Sequence, residues 1–101
     1  MNQAKILNLL GLAQRARQLV SGDFIVEATL KKHKGYLLLL ASDCAANNRD
    51  KYKQLTNIYK IPLIEVATKA QLGQALGKEQ RVVVLLLDKG FSQAIQKEML
   101  S

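Results

Sequence analysis

Apolar residues return at helical spacing through the start of the chain. Ile6, Leu9, Leu10, Ala13, Ala16 and Val20 share one face, and Asn8, Gly11, Arg15 and Gln18 lie on another. The pattern predicts a first helix, and Asn2 is placed to cap it because its side-chain oxygen can accept an N–H that the first turn leaves unpaired. Gly11 inside the helix costs about 1 kcal/mol relative to alanine, which points to a close neighbour on that side. Ser21-Gly22 breaks the pattern. Asp23 to Lys32 reads as a second helix, with Glu27 and Lys31 spaced for a favourable ion pair, and His33-Lys34-Gly35 ends it.

Three later segments read as strands: Tyr36 to Ala41, Pro62 to Val66, and Arg81 to Leu87, the first and third built on apolar runs without alternation. Unbroken runs of this length are typical of strands covered on both faces. Between and after them lie three further helices. One starts at Asn47 or Asn48 and runs to about Tyr59, where Ile61-Pro62 stops it. A short one spans Thr68 to Leu76, with Thr68 as N-cap and Gly77 beyond its end. The last covers roughly Ser92 to Leu100. The order is helix, helix, then strand and helix three times over. It predicts an α/β fold, a single three-layer α-β-α sandwich with a mixed, largely parallel central sheet. No repeat, low-complexity tract or linker interrupts residues 1–101, which are expected to form one domain.

Composition changes this picture in one respect. Hydrophobic residues make up 49% of the 101, enough for a core and too many for a disordered chain. Fifteen Lys and Arg against eight Asp and Glu leave a net charge of +7, and ten of the basic but only four of the acidic residues precede position 61. An excess gathered in the first part of the chain suggests an anionic partner, nucleic acid first. The plain alternative, that the charge only keeps a small protein soluble, stays open. Apolar runs such as Val82 to Leu87 fall far short of the ~20 residues a spanning helix needs, and the N-terminus lacks a signal-peptide pattern, so a cytoplasmic protein without a membrane partner is expected. One cysteine, Cys44, and one histidine, His33, exclude an internal disulfide and a zinc site. No metal or other cofactor is expected.

In such sheets, ligands bind beyond the carboxyl ends of the strands. Those ends are Ser42-Asp43-Cys44, Ala67-Thr68-Lys69 and Asp88-Lys89-Gly90. Helix N-termini there offer unpaired N–H groups that suit phosphate. Thr68-Lys69 adds a hydroxyl and an ammonium, and Ser21-Gly22 provides a second terminus that a backbone can approach closely. The competing reading takes Ser21, Asp43, Thr68 and Asp88 as ordinary caps and turn formers. Catalytic signatures are missing: there is no phosphate loop, no dinucleotide turn and no nucleophile elbow. His33 stands among lysines as a solvated tip, and Cys44 suits a small buried apolar role better than that of a nucleophile. Asp43 and Asp88 are hard oxygen ligands of the type magnesium takes, with nothing else in the chain to complete a site. Arg15, Arg17, Lys31, Lys32, Lys34 and Lys69 are the richer signal. Aromatic residues are few, so contact with the backbone of structured RNA is favoured over base stacking.

The stretch Asn8-Leu9-Leu10-Gly11-Leu12-Ala13-Gln14-Arg15-Ala16-Arg17-Gln18-Leu19-Val20-Ser21-Gly22 resembles the opening of the bacterial YlxQ-type proteins, small relatives of the ribosomal protein L7Ae and L30e group. Leu37-Leu38-Leu39-Leu40-Ala41-Ser42-Asp43 is similar to the group's central strand and loop. The stretch from Ile61-Pro62-Leu63-Ile64-Glu65-Val66-Ala67-Thr68-Lys69 through Leu72 to Gly77 is similar to its most recognisable segment. The likeness spans almost the whole chain. It implies the sandwich fold and a non-catalytic protein that binds kink-turn RNA, a sharply bent internal loop flanked by sheared G·A pairs.

By matching position, Gly22 leads the helix that enters the widened groove, with Ser21, Asp23, Phe24, Ile25 and Ala28 around it. Lys31 and Lys32 hold phosphates. Val66, Ala67, Thr68, Lys69 and Leu72 form the loop and helix start that cover unstacked nucleotides. Archaeal and eukaryotic members carry Asn-Glu where this chain has Phe24-Ile25, and a lysine where it has Ala28. Phe and Ile cannot hydrogen-bond a guanine edge, so readout is expected to be weaker or differently placed, with more weight on phosphates. The partner implied is a ribosomal or regulatory RNA, with the ribosome or its factors nearby. The alternative is a protein-interaction module in which Phe24-Ile25 form an apolar contact with a transcription or translation factor.

Overall fold

A computed structural model describes residues 1–100. Nine elements follow in order: α1 (Gln3–Arg15), β1 (Leu19–Ser21), α2 (Asp23–Lys31), β2 (Leu37–Leu40), α3 (Ala46–Tyr59), β3 (Leu63–Glu65), α4 (Lys69–Ala75), β4 (Val83–Leu86) and α5 (Lys89–Met99). Asn2 caps α1 by accepting from the Lys5 N–H at 3.2 Å. Thr68 and Gln71 form a reciprocal capping box on α4. The two unbroken apolar runs at β2 and β4 are fully buried, as expected of strands covered on both faces. α1 packs against α4 and α5, whereas α2 and α3 are linked to each other.

The sheet order is β1-β4-β2-β3. It is mixed, as expected, but only β2 and β3 pair in parallel; β4 runs antiparallel to both β1 and β2. Three strands therefore point one way and the fourth, lying between two of them, points back. The difference lies in the connections. α3 has 14 residues and returns the chain along the length of the sheet, whereas α4 has only 7 and lets β4 start at the edge where β3 ended. We call the edge holding the C-terminal ends of β1, β2 and β3 the upper edge, and the opposite one the lower edge.

Three further differences from the sequence pattern have local causes. α1 stops at Arg15 because Arg17 turns left-handed (φ 58°) and the Gln18 N–H reaches back to Ala13. The next three residues become β1, paired with Leu86, Leu85 and Val84 of β4. A three-residue strand leaves no alternation to read, and Val20 fits an i+4 helical position equally well. α3 starts at Ala46, ahead of both asparagines, with no side-chain cap on Ala45. α5 starts at Lys89 and not at Ser92, because Asp88 accepts from the Phe91 N–H at 2.8 Å and so caps through Gly90. The close neighbour of Gly11 is α4: a Cβ there would stand 3.2 Å from the Ala75 carbonyl oxygen.

Candidate nucleic-acid interface

The upper edge gathers three separate segments. Ser21 and Gly22 follow β1, Ser42 and Asp43 follow β2, and Val66 to Lys69 follow β3. Backbone hydrogen bonds lace them together: the Gly22 N–H to Val83, the Ala41 N–H to Val82, and the Ser42 N–H to Ala67. The Ala67 carbonyl also accepts from the Ser42 hydroxyl at 2.9 Å. This double anchor accompanies a left-handed conformation at Ala67 (φ 62°), uncommon for a residue other than glycine. Asp43 accepts from the Lys69 N–H at 2.9 Å, which engages it in shaping the α4 N-terminus. Asp88 sits at the lower edge, so the two aspartates cannot share an ion.

Gly22 has φ 99° and ψ 151°, a region that only glycine occupies freely. A Cβ built there would meet nothing within 4 Å, so the space in front of the α2 N-terminus is open. The next residues leave that space in an unusual state. Phe24 is 89% exposed and Ile25 46%, while Val26 and Leu30 fill the buried side of the helix. An unburied phenylalanine forgoes the roughly 1.5–3 kcal/mol that burial would contribute, so folding does not account for it.

Behind the helix, Asp23 accepts a hydrogen bond from the hydroxyl of Tyr52, which is fully buried on α3. Lys51 lies 3.4 Å from both Asp23 and Glu27. Burial first, and then the hydrogen bond and charge of Asp23, raise the Tyr52 pKa well above its ordinary value. A group whose pKa is raised by folding stabilises the fold below its unfolded value and loses that contribution as pH rises. Stability is therefore expected to decline above about pH 10, and to decline less steeply in Tyr52→Phe, which chemical denaturation across that range would measure.

Arg81 joins the β1–α2 and β3–α4 segments of the upper edge. Its backbone N–H donates to the Lys69 carbonyl at 3.1 Å, and its Nε donates to the Ser21 hydroxyl at 3.1 Å. The sequence pattern treats it only as the first residue of a strand. Its role becomes visible once β4 is known to enter the sheet at the upper edge. Arg49 plays a similar part at the other side, bonding Glu65 at 2.9 Å and the Ser42 carbonyl at 3.2 Å.

Of the expected site residues, Ser21, Gly22, Asp23, Phe24 and Ile25 stand together with Thr68 and Lys69, and Ala28 lies one turn further along α2, half-buried. Val66, Ala67 and Leu72 are buried at 2%, 6% and 0% exposure, so their side chains support the loop after β3 from beneath and do not face outward. Lys31 and Lys32 close the far end of α2, about 14–15 Å from Gly22 at 1.5 Å per residue. Arg15, Arg17 and Lys34 are likewise at the lower edge, as are Asp88, Lys89 and Gly90. The basic excess of the first part of the chain is thus not beside Gly22. Cys44 is buried, and His33 packs edge-on against Tyr59 with ring centroids 5.3 Å apart. No helix among the described residues is long and apolar enough to cross a membrane.

An α/β sandwich with a glycine-led helix and a capped loop on one sheet edge defines the class. The chain belongs to the ribosomal protein L7Ae/L30e/S12e/Gadd45 family, whose model matches residues 4–96. Among individual relatives, the RNA-binding protein YlxQ of Bacillus subtilis is 41% identical over 87 residues, 86% of this chain and 87% of that one. The RNA-binding protein YlxQ of Enterococcus faecium is 32% identical over 92 residues, 91% and 88% of the two chains. A Bacillus halodurans protein of unknown function has a solved structure that superposes with a TM-score of 0.92 at 37% identity, covering 97% of this chain and 99% of that one. The Giardia lamblia 15.5kD RNA binding protein shares the fold, with a TM-score of 0.76 at 16% identity over 96% and 82% of the two chains.

Proposed function

We propose that this protein is a non-catalytic, cytoplasmic RNA-binding protein that recognises a kink-turn-like bend in a structured RNA, ribosomal or regulatory. Membership of the family and the RNA-binding relatives support the RNA. The observation that carries the shape is the upper edge: an open glycine-led helix terminus is held by Arg81 beside the Thr68-Lys69 loop. Gly22 lets an RNA backbone approach the first N–H groups of α2, which have no side-chain cap. Thr68 and Lys69 meet the nucleotides that the bend throws out.

Phe24 then takes a role different from edge reading. With 89% of its surface free, it presents a flat face on which an unstacked base can lie. Recognition would therefore rest on shape and stacking more than on hydrogen bonds to guanine edges. The test is a binding titration with a kink-turn duplex and a straight duplex of equal length, with preference for the bent one expected. The same exposed pair, Phe24 and Ile25, favours a second reading, in which they dock on a transcription or translation factor. There, RNA affinity would be indifferent to Phe24.

A further inference from the structure

The lower edge carries most of the net charge. Its turns are Arg15 to Gln18, Lys31 to Tyr36, Lys60 to Pro62 and Leu87 to Gly90, and they hold seven basic residues against Asp88 alone. The remaining eight basic residues are nearly matched by the other seven carboxylates. The turns are contiguous: the Leu87 N–H donates to Gln18 at 2.8 Å, the Tyr36 N–H to Leu86 at 2.8 Å, and His33 abuts Tyr59. In the strand order β1-β4-β2-β3, Arg17, Lys89, Lys34 and Lys60 follow one another across the sheet. At about 4.8 Å per strand the row spans roughly 15 Å. All four are exposed, and none forms an ion pair or side-chain hydrogen bond among the described residues.

A second observation concerns how the helices end. α1, α2 and α3 all finish at this edge, and each passes through a left-handed residue there: Arg17 (φ 58°), His33 (φ 58°) and Lys60 (φ 56°). Glycine holds that conformation more cheaply, and α4, which ends beside α1, uses Gly77 (φ 68°) in the same place. The helix dipole favours cations in a last turn; Arg15 and Lys31 meet that preference within α1 and α2, whereas α3 has no basic residue in its last turn and Lys60 serves it there. The dipole does not call for a further basic residue at Arg17. Strain kept where glycine would serve points to a use for the side chain.

We propose that the row Arg17, Lys89, Lys34 and Lys60 is a second RNA contact, which grips the phosphate backbone of a duplex while the upper edge holds the bend. The inference goes beyond the kink-turn reading and rests on different residues. With extents of 28 × 26 × 25 Å, the protein would set two RNA segments about one protein diameter apart. A row of cations without ion pairs, with Asp88 the one carboxylate in these turns and engaged in capping α5, suits phosphates of any sequence, and its contribution should be screened by salt.

The test uses the full chain and a variant carrying Arg17→Gly, Lys34→Gln, Lys60→Gly and Lys89→Gln. Glycine at positions 17 and 60 preserves the backbone, and a thermal melt checks the fold. The probes are a plain 20-base-pair RNA duplex and a kink-turn RNA too short to reach both edges. The variant is expected to bind the plain duplex at least about tenfold more weakly at low salt. The slope of log affinity against log salt should fall by about 2–4, near 0.9 for each phosphate no longer neutralised. Affinity for the short kink-turn RNA should stay within about twofold. A variant that binds the plain duplex as the unmodified chain does would overturn the proposal, as would one that loses both RNAs equally. If the unmodified chain ignores the bend but the duplex arm behaves as expected, the kink-turn reading fails and the second contact stands.

Discussion

Gly73→Ala is expected to cost about 3 kcal/mol of folding stability or more, at the upper end of what overpacking a buried site does, and to weaken RNA binding at the same time. Gly73 lies within α4 and is buried, and a Cβ there would stand 2.0 Å from the Glu79 carbonyl oxygen and 2.6 Å from its carbon. Neither atom belongs to a flexible side chain, so the 78–81 turn itself must move. That turn delivers Arg81 to Ser21 and to Lys69. A shift there separates the α2 terminus from the covering loop. Denaturant midpoints measure the first effect and RNA titration under folding conditions the second. Gly11→Ala is the internal comparison: its Cβ would meet one carbonyl at 3.2 Å, and a few tenths of an ångström relieve it. A Gly73→Ala protein as stable as the parent would show that the turn is not held against α4 as described.

Phe24→Ala is expected to do the reverse, leaving stability within about 0.5 kcal/mol, as surface substitutions do, and removing about 1–3 kcal/mol of RNA affinity. The second figure is the usual loss when a stacking aromatic is truncated; in dissociation constant it is about 5- to 150-fold. The first follows from exposure: Phe24 packs too little surface for its removal to matter to the fold. Thermal melts and calorimetric titration with a kink-turn RNA separate the two quantities. Unchanged RNA affinity would move Phe24 and Ile25 to the second reading, an apolar contact with a protein.

Much of the fold was legible because its core is written in unbroken runs. Leu37 to Leu40 and Val83 to Leu86 are apolar at every position, and short runs of this kind are typical of a strand with both faces covered. Asn2, Thr68 and Pro62 punctuate the helices by local chemistry. Three things were not legible, each for its own reason. β1 is too short to show a period. The direction of β4 depends on the length and path of the connection through α4, and that direction decides that Arg81 lies at the upper edge and Asp88 at the lower.

The third was the placement of charge. Lys31 and Lys32 share a helix with Gly22, and a helix seen as one unit conceals that its ends lie on opposite edges of the sheet. The departure at Phe24-Ile25 was visible in the sequence, but there it read only as missing hydrogen bonds. Its exposure turns the loss into a candidate stacking face. The few aromatic residues in the composition had argued against stacking, and composition cannot say where one aromatic points.

Shape recognition at the upper edge is tested by comparing one protein on two RNAs. The dissociation constants for a kink-turn duplex and for a straight duplex of the same length are to be determined at the same salt concentration, near physiological ionic strength, where phosphate attraction common to both is reduced. Binding at least about tenfold tighter to the bent RNA, a difference near 1.4 kcal/mol, is the expected result. Equal affinity for the two would contradict it.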